Sequence, residues 1–325
     1  MKNFIIILLF IVLTCSSIYS QWSEQTLPVT GTINDIAFLN NDTGFVAMDN
    51  SNFLRTTNGG ANWSVTTSFR IEVLKVIDKT TLYARAVNQS GFYQTFDGGT
   101  TWNYLAGQPY CAFSFINRDT GWFSAFSGGI YKTTNGGVTT QLISTENNCC
   151  TKLMMLKQPY NGEYYGWSIQ AFSGGLFKTT NSGLNWVNVG INAPKSIFFM
   201  NKDTGWIGAG SASTTSRILH TTNGGKNWIE QYVDPNGYTA NDLDFTNIHR
   251  GWGGRGLFKV FATSNGGKIW GTQNVPIPHP TYIFFIDSLL GWSGGAGLAK
   301  TTNGGGPITF VGIENNNSQI PIILS

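Results

Sequence analysis

Charge is what this chain has least of. Only 11% of its 325 residues are Asp, Glu, Lys or Arg, against roughly a quarter in an ordinary soluble domain. No tract of lysine or arginine occurs, so neither nucleic acid nor an anionic membrane surface is an expected partner. The three histidines and four cysteines stand at no spacing that would hold zinc. No metal and no cofactor is therefore expected. Long apolar runs are missing too. The run from Phe4 to Leu13 has ten residues, half of the roughly 20 that a membrane-spanning helix needs.

That run has a different reading. Lys2 precedes it and the small polar stretch TCSSIYS follows it. This is the pattern of a secretory signal peptide cut near Ser20, which places the mature chain in the periplasm, outside the cell or on its surface. Loss of Lys2 leaves 19 basic against 17 acidic residues, a net charge of +2. Three cysteines remain, Cys111, Cys149 and Cys150, in a compartment that permits disulfides. Cys111 and the Cys149–Cys150 pair fall at equivalent places in consecutive repeats. A disulfide from Cys111 to Cys149 or to Cys150 is one expectation, and buried free thiols are the other.

What the chain does have is glycine, 40 residues, and tryptophan, 11, in a repeating order. The unit Thr-x-Asn/Asp-Gly-Gly-x-x-Trp begins at Thr56, Thr95, Thr133, Thr179, Thr221, Thr263 and Thr301, with steps of 39, 38, 46, 42, 42 and 38 residues. Its amide or acidic position is Asn58, Asp97, Asn135, Asn181, Asn223, Asn265 and Asn303. Its second glycine is Gly60, Gly99, Gly137, Gly183, Gly225, Gly267 and Gly305. Its tryptophan is Trp63, Trp102, Trp186, Trp228 and Trp270; the third and seventh copies have none. A period near 40 belongs to propellers and solenoids.

A second motif precedes six of the seven boxes: DTGF at Asp42, DTGW at Asp119 and Asp203, and looser forms at Tyr164, His249 and Leu289. One unit then reads as four short strands joined by hairpins. Seven such sheets predict an all-β, seven-bladed propeller of four-stranded antiparallel blades. Trp22, in QWSEQ, resembles Trp228 in NWIEQ. The N-terminal segment is therefore expected to supply the outer strand of blade seven and close the ring, which removes exposed sheet edges. The expected organisation is a signal peptide at 1–20, the propeller at 21–311 and a tail or linker at 312–325.

The box chemistry is structural. Glycine permits positive φ in a tight turn, and the Asn or Asp oxygen accepts from amides the turn leaves unpaired. The residue before the box (Arg55, Gln94, Lys132, Lys178, His220, Ala262, Lys300) is mostly polar and is expected to face solvent. The residue before that, from Leu54 to Ala299, is expected in the core.

These residues resemble the Asp-box, or bacterial neuraminidase, repeat, mostly with Asn for Asp. With the DTGW segment and the compact period, roughly Gln21 to Val311 is similar to the photosystem II assembly and stability factor family. That resemblance implies a seven-bladed propeller that assists assembly of a membrane complex and is not an enzyme. The Asn-rich tail FVGIENNNSQIPIILS resembles the linker that precedes a type IX secretion sorting domain. The box also occurs in sialidases and xyloglucan hydrolases, and fold alone does not decide function.

Catalytic constellations are thin. The seven arginines are scattered over different blades, which disfavours a sialidase site. Asp42, Asp119 and Asp203 occupy repeat turns. Any two carboxylates could meet in space as a pair for glycoside hydrolysis, but Asp242 and Asp244 alternate on one face of an inner strand and Asp35 matches Asp242 at a strand entry, so catalysis is not expected. The reading is an exported, non-enzymatic binding or assembly scaffold, monomeric, that engages a protein partner through the loop face opposite the box turns. Tyr238, Arg217 and Arg255 are the candidate contacts. The alternatives are a glycan-binding or sialidase-like carbohydrate protein and a cell-surface adhesin module.

Overall fold

A computed structural model describes residues 21–310 other than 88–90, 106–108, 147–149, 171–173 and 212–213. The signal-peptide and tail readings, and Cys149, lie outside the described residues. The chain forms seven four-stranded antiparallel sheets. Blades one to six span 33–67, 71–105, 110–144, 150–192, 194–233 and 242–274. Blade seven takes three strands from 282–301 and its fourth from Ser23–Gln25. Ser23 pairs with Lys300 and Gln25 with Leu298, so the two ends of the propeller are zipped into one sheet.

Trp22 completes this closure. It meets Phe285 edge-on at 5.8 Å, as Trp63 meets Phe38 at 6.1 Å and Trp270 meets Phe245 at 5.8 Å. The outer-strand tryptophan that the seventh box lacks thus comes from the other end of the chain.

Each box closes through its threonine. Thr56 Oγ1 donates to Asn58 Oδ1 at 3.0 Å and accepts from Gly60 N at 2.9 Å. Asn58 Oδ1 also accepts from Asn62 N at 2.9 Å. Gly59 and Gly60 stand at φ 67° and 91°, the left-handed region where a side chain is strained. Gly59 N donates to Asp42 O at 2.8 Å. The box turn and the second-motif turn therefore share one end of the blade, and the remaining loops share the other.

The second motif builds the core between blades. Trp122, Trp167, Trp206, Trp252 and Trp292 are each fully buried. Trp167 lies flat on Phe199 at 3.5 Å, Trp206 on Phe245 at 3.7 Å, Trp252 on Phe285 at 3.5 Å and Trp292 on Phe38 at 3.5 Å. In every case the partner ends the inner strand of the next blade. The glycine before the aromatic is needed for contact on its own blade. A Cβ at Gly44 would fall 2.1 Å from Phe38, and one at Gly251 would fall 2.2 Å from Phe245. In blades four to seven Gly-aromatic is thus a stacking device, each of these blades capping the next.

The polar column before the box departs from its expected solvent exposure. Lys132, Lys178 and Lys300 lie over Trp122, Trp167 and Trp292 at 5.3, 5.6 and 5.5 Å, and His220 stacks on Trp206 at 4.7 Å. Gln94 is buried and donates to Tyr83 Oη at 2.8 Å. The aromatic row leaves an electron-rich face, and cationic stems cover it.

Candidate functional site

Three regions compete for function: the channel, the cysteines and the loop face. The inner strands turn alternate side chains toward the central channel. At two successive register levels these include Asp35, Lys152, Asp242 and Tyr282, then Lys75, Ser114, Met154 and Asp244. The carboxylates are not a free acid pair. Asp35 Oδ2 accepts from Leu74 N at 2.7 Å, Asp242 Oδ2 from Ile283 N at 3.1 Å and Asp244 Oδ2 from Phe285 N at 2.6 Å. Each donor is a main-chain amide of the neighbouring blade. Ser114 Oγ accepts from Met155 N at 3.0 Å, and Ser196 Oγ donates to Ala240 O at 2.6 Å, in the same manner. These inward side chains satisfy inner-strand main-chain groups that no fifth strand pairs.

Burial pushes Asp35 and Asp244 up to about 7, with the charge of Asp242 adding to it and the main-chain hydrogen bonds opposing it. Burial also raises Asp242, and Lys152 opposes that shift. Lys152 Nζ lies 3.8 Å from Asp242 and donates to Asn241 O at 3.0 Å. Among the described residues no group of three or more His, Cys, Asp or Glu could hold a metal ion.

Cys111 is disulfide-bonded, whereas Cys150 is a buried free thiol. The pairing of Cys111 with Cys150 is thereby corrected. Cys150 is fully buried on the inner strand of blade four, and its amide donates to Ser124 Oγ at 3.0 Å. Burial raises its thiol to about 12, which disfavours the thiolate form.

On the loop face the structure brings two of the three candidate contacts together. The connection from blade five to blade six, 234–241, folds over Arg255. Arg255 Nε donates to Asp234 Oδ2 at 2.9 Å, and its guanidinium lies 4.4 Å from the Tyr238 ring centre. Asp234 Oδ1 accepts from Asn236 N at 2.8 Å and Tyr238 N at 3.2 Å. Ser216 Oγ donates to Gly237 O at 2.7 Å.

Arg255 is therefore a buried brace beneath the loop and not the surface contact expected of it. Its charge is matched by an equally buried carboxylate, and its face is covered by a ring. Tyr238 is half-buried on top of it. Arg217 stands apart. It lies within the third strand of blade five, Thr214–Thr221, and its Nη1 is 3.7 Å from Glu230 on the outer strand.

An exposed apolar turn adjoins the brace. Two residues beyond Arg255, the turn of blade six carries Leu257 and Phe258, 43% and 55% exposed. Leu257 sits at φ 50°, a left-handed conformation that costs an L-residue roughly 1–2 kcal/mol. Phe258 O accepts from Val275 N at 2.8 Å, which ties the turn to the next loop. In blade three the equivalent turn exposes Phe126. A strained leucine in an exposed turn is a departure from turn chemistry. No residue motif signals it, since the same four residues, GLFK, form a strand at 175–178.

Seven closed blades, each with a box turn at one end, define an Asp-box β-propeller. Within that class the chain resembles the photosystem II assembly factors. The family model described as photosynthesis system II assembly factor YCF48 matches residues 15–170, through the second strand of blade four. The solved structure of YCF48 bound to D1 peptide aligns with a TM-score of 0.69 at 16% identity, covering 88% of this chain and 97% of that one. YCF48 from Cyanidioschyzon merolae aligns at 0.66 and 17% identity, covering 87% and 98%. The GH74 xyloglucanase from Xanthomonas campestris aligns at 0.69 and 11%, covering 87% of this chain but 54% of the enzyme. At these identities the likenesses establish the fold. No curated protein matches the chain. Among the described residues no helix is long and apolar enough to cross a membrane.

Proposed function

We propose that this propeller is a non-enzymatic scaffold that binds a protein partner on its loop face, across blades five to seven. The observation that carries the reading is the exposed Leu257–Phe258 turn, held in a strained backbone beside the braced loop 234–241. A rigid loop framework bearing exposed apolar side chains suits protein recognition, because little entropy is lost on docking. The resemblance to an assembly factor whose relative was solved with a D1 peptide supports a peptide or protein ligand. Hydrolysis is disfavoured, since the channel carboxylates are engaged with main-chain amides of adjacent blades. The leader-like stretch before Gln21 supports action outside the cytoplasm.

The test is site-specific photocrosslinking. A photoreactive residue at position 258 is expected to capture one protein in stoichiometric yield from an envelope extract. The same group at Leu184, which is exposed at the box end of blade four, is expected to capture none. Phe258→Ser should reduce co-purification at least tenfold. Equal capture from both positions, or recovery of glycan alone, overturns the reading.

A further inference from the structure

Six of the seven blades join their first two strands by five residues: 39–43, 77–81, 116–120, 200–204, 246–250 and 286–290. Blade four uses ten, 156–165, which explains most of the long 46-residue step in the repeat. The extra length forms a small hairpin. Tyr160 and Glu163 exchange main-chain hydrogen bonds at 2.8 and 3.0 Å, and the Tyr160 ring meets Tyr165 edge-on at 5.5 Å.

The fourth box is altered to hold this hairpin. Its first glycine position is Ser182, at φ 59°, where every other box has glycine. Ser182 Oγ donates to the Glu163 carboxylate and accepts from Tyr164 N at 3.0 Å. A strained serine bonded twice to the insertion marks the two changes as one device.

The hairpin walls one side of the channel mouth at the box end. The cavity there measures about 400 Å³, and its walls include Lys75, Met154, Met155, Phe199, Met200 and Tyr160, with Lys157 at the exposed rim. Lys75 is singular among the channel ions. Asp35, Lys152, Asp242 and Asp244 each have hydrogen-bond partners, whereas Lys75 makes no ion pair or hydrogen bond among the described residues. Burial, and then the neighbouring charge of Lys157, lowers its pKa, and the charge of Asp35 opposes that shift. Two cations face a largely apolar chamber with no anion between them, which is the arrangement of a site that awaits one.

We propose that this mouth binds a monocarboxylate with an apolar body, its carboxylate on Lys75 and Lys157 and its hydrocarbon against Met154, Met155, Phe199 and Met200. Lysine supplies point charges and no planar fork. The Asp35 and Asp244 carboxylates of the same channel repel a second negative charge, so a dianion such as phosphate fits poorly. The ligand is a free carboxylic acid or the C-terminal carboxylate of a chain that ends in an apolar residue. The site lies at the opposite end of the channel from the loop face, so it stands or falls separately from the scaffold reading.

Calorimetric titration of the full chain decides it. The probes are octanoate, octanamide, a pentapeptide ending in leucine with free and with amidated C-terminus, and inorganic phosphate. Octanoate or the free-ended peptide should bind at least tenfold tighter than its amide, and which of the two binds identifies the source. Lys75→Met should weaken that binding at least tenfold. Lys157→Met, at the exposed rim, should weaken it about threefold and serves where Lys75→Met does not fold. Equal affinity for acid and amide, tighter binding of phosphate, or unchanged octanoate affinity in Lys157→Met overturns the proposal.

Discussion

Arg255 Nε lies 2.9 Å from Asp234 Oδ2, with only 6% and 1% of the two side chains exposed. This pair joins the second strand of blade six to the loop leaving blade five. Arg255→Ala leaves the Asp234 carboxylate buried without its partner, a change that costs roughly 3–5 kcal/mol. Urea denaturation should show that loss. Asp234→Asn with Arg255→Met removes both charges and is expected to lose less than Arg255→Ala alone. A double mutant as unstable as the single would show that packing by Arg255, and not its charge, holds the loop.

Ser182 separates two effects that usually coincide. Ser182→Gly relieves the left-handed conformation but drops the bond to Glu163, whereas Ser182→Ala drops the bond and keeps the strain. The alanine variant should be less stable than the glycine variant by about 1 kcal/mol, a typical Gly-to-non-Gly difference in the left-handed region. In a Glu163→Ala background the loss from Ser182→Ala should shrink. Equal stability of both variants in thermal melts would refute this coupling.

The channel carboxylates make stability fall as pH rises. Asp35 and Asp244 titrate at about 7 in the folded chain, above their unfolded value near 3.8. The folded state therefore holds protons more tightly, and this contribution is full below pH ~4 and lost as pH rises through ~7. Asp97 works the other way. Its slight burial is outweighed by hydrogen bonds from Thr101 and Thr95, which bring it down to about 2. Its contribution is present above pH ~4 and lost as pH falls through ~2. The midpoint of urea unfolding should thus be higher at pH 5 than at pH 8. Asp244→Asn, which keeps an oxygen for Phe285 N, should flatten that slope; an unchanged slope would reject the assignment.

The blade count, the ring closure by Trp22 and the box hydrogen bonds were legible because each repeats. A pattern seen seven times identifies its own exceptions and averages out local accident. The stacking of Trp292 on Phe38 was not legible, because the two residues belong to blades at opposite ends of the chain and meet only after closure. The exposure expected of the lysine column fails for a local reason: Lys300 is the direct cross-strand partner of Trp292 in one hairpin, so its stem lies over that ring. Arg255 was singled out by its loop-like GGRG setting, yet burial depends on Asp234 and Tyr238, which come from the previous blade. The Leu257–Phe258 turn carried no motif at all. Its signal is conformational, and φ at Leu257 is not written in residue type.

That conformation yields a prediction with opposite signs for stability and binding. Glycine tolerates φ 50° without strain, so Leu257→Gly removes roughly 1–2 kcal/mol of left-handed cost and adds roughly 0.5–1 kcal/mol of chain entropy in the unfolded state. The net effect is a gain in stability of about 0.5–1 kcal/mol. The same change deletes an exposed apolar side chain from the loop face, so partner binding should weaken at least tenfold. A leucine kept there only for packing would give the reverse pattern, a loss of stability with binding intact. Measuring melting temperature and crosslinking yield on the same variant therefore distinguishes a recognition residue from a structural one, because no purely structural role predicts a more stable protein that binds less.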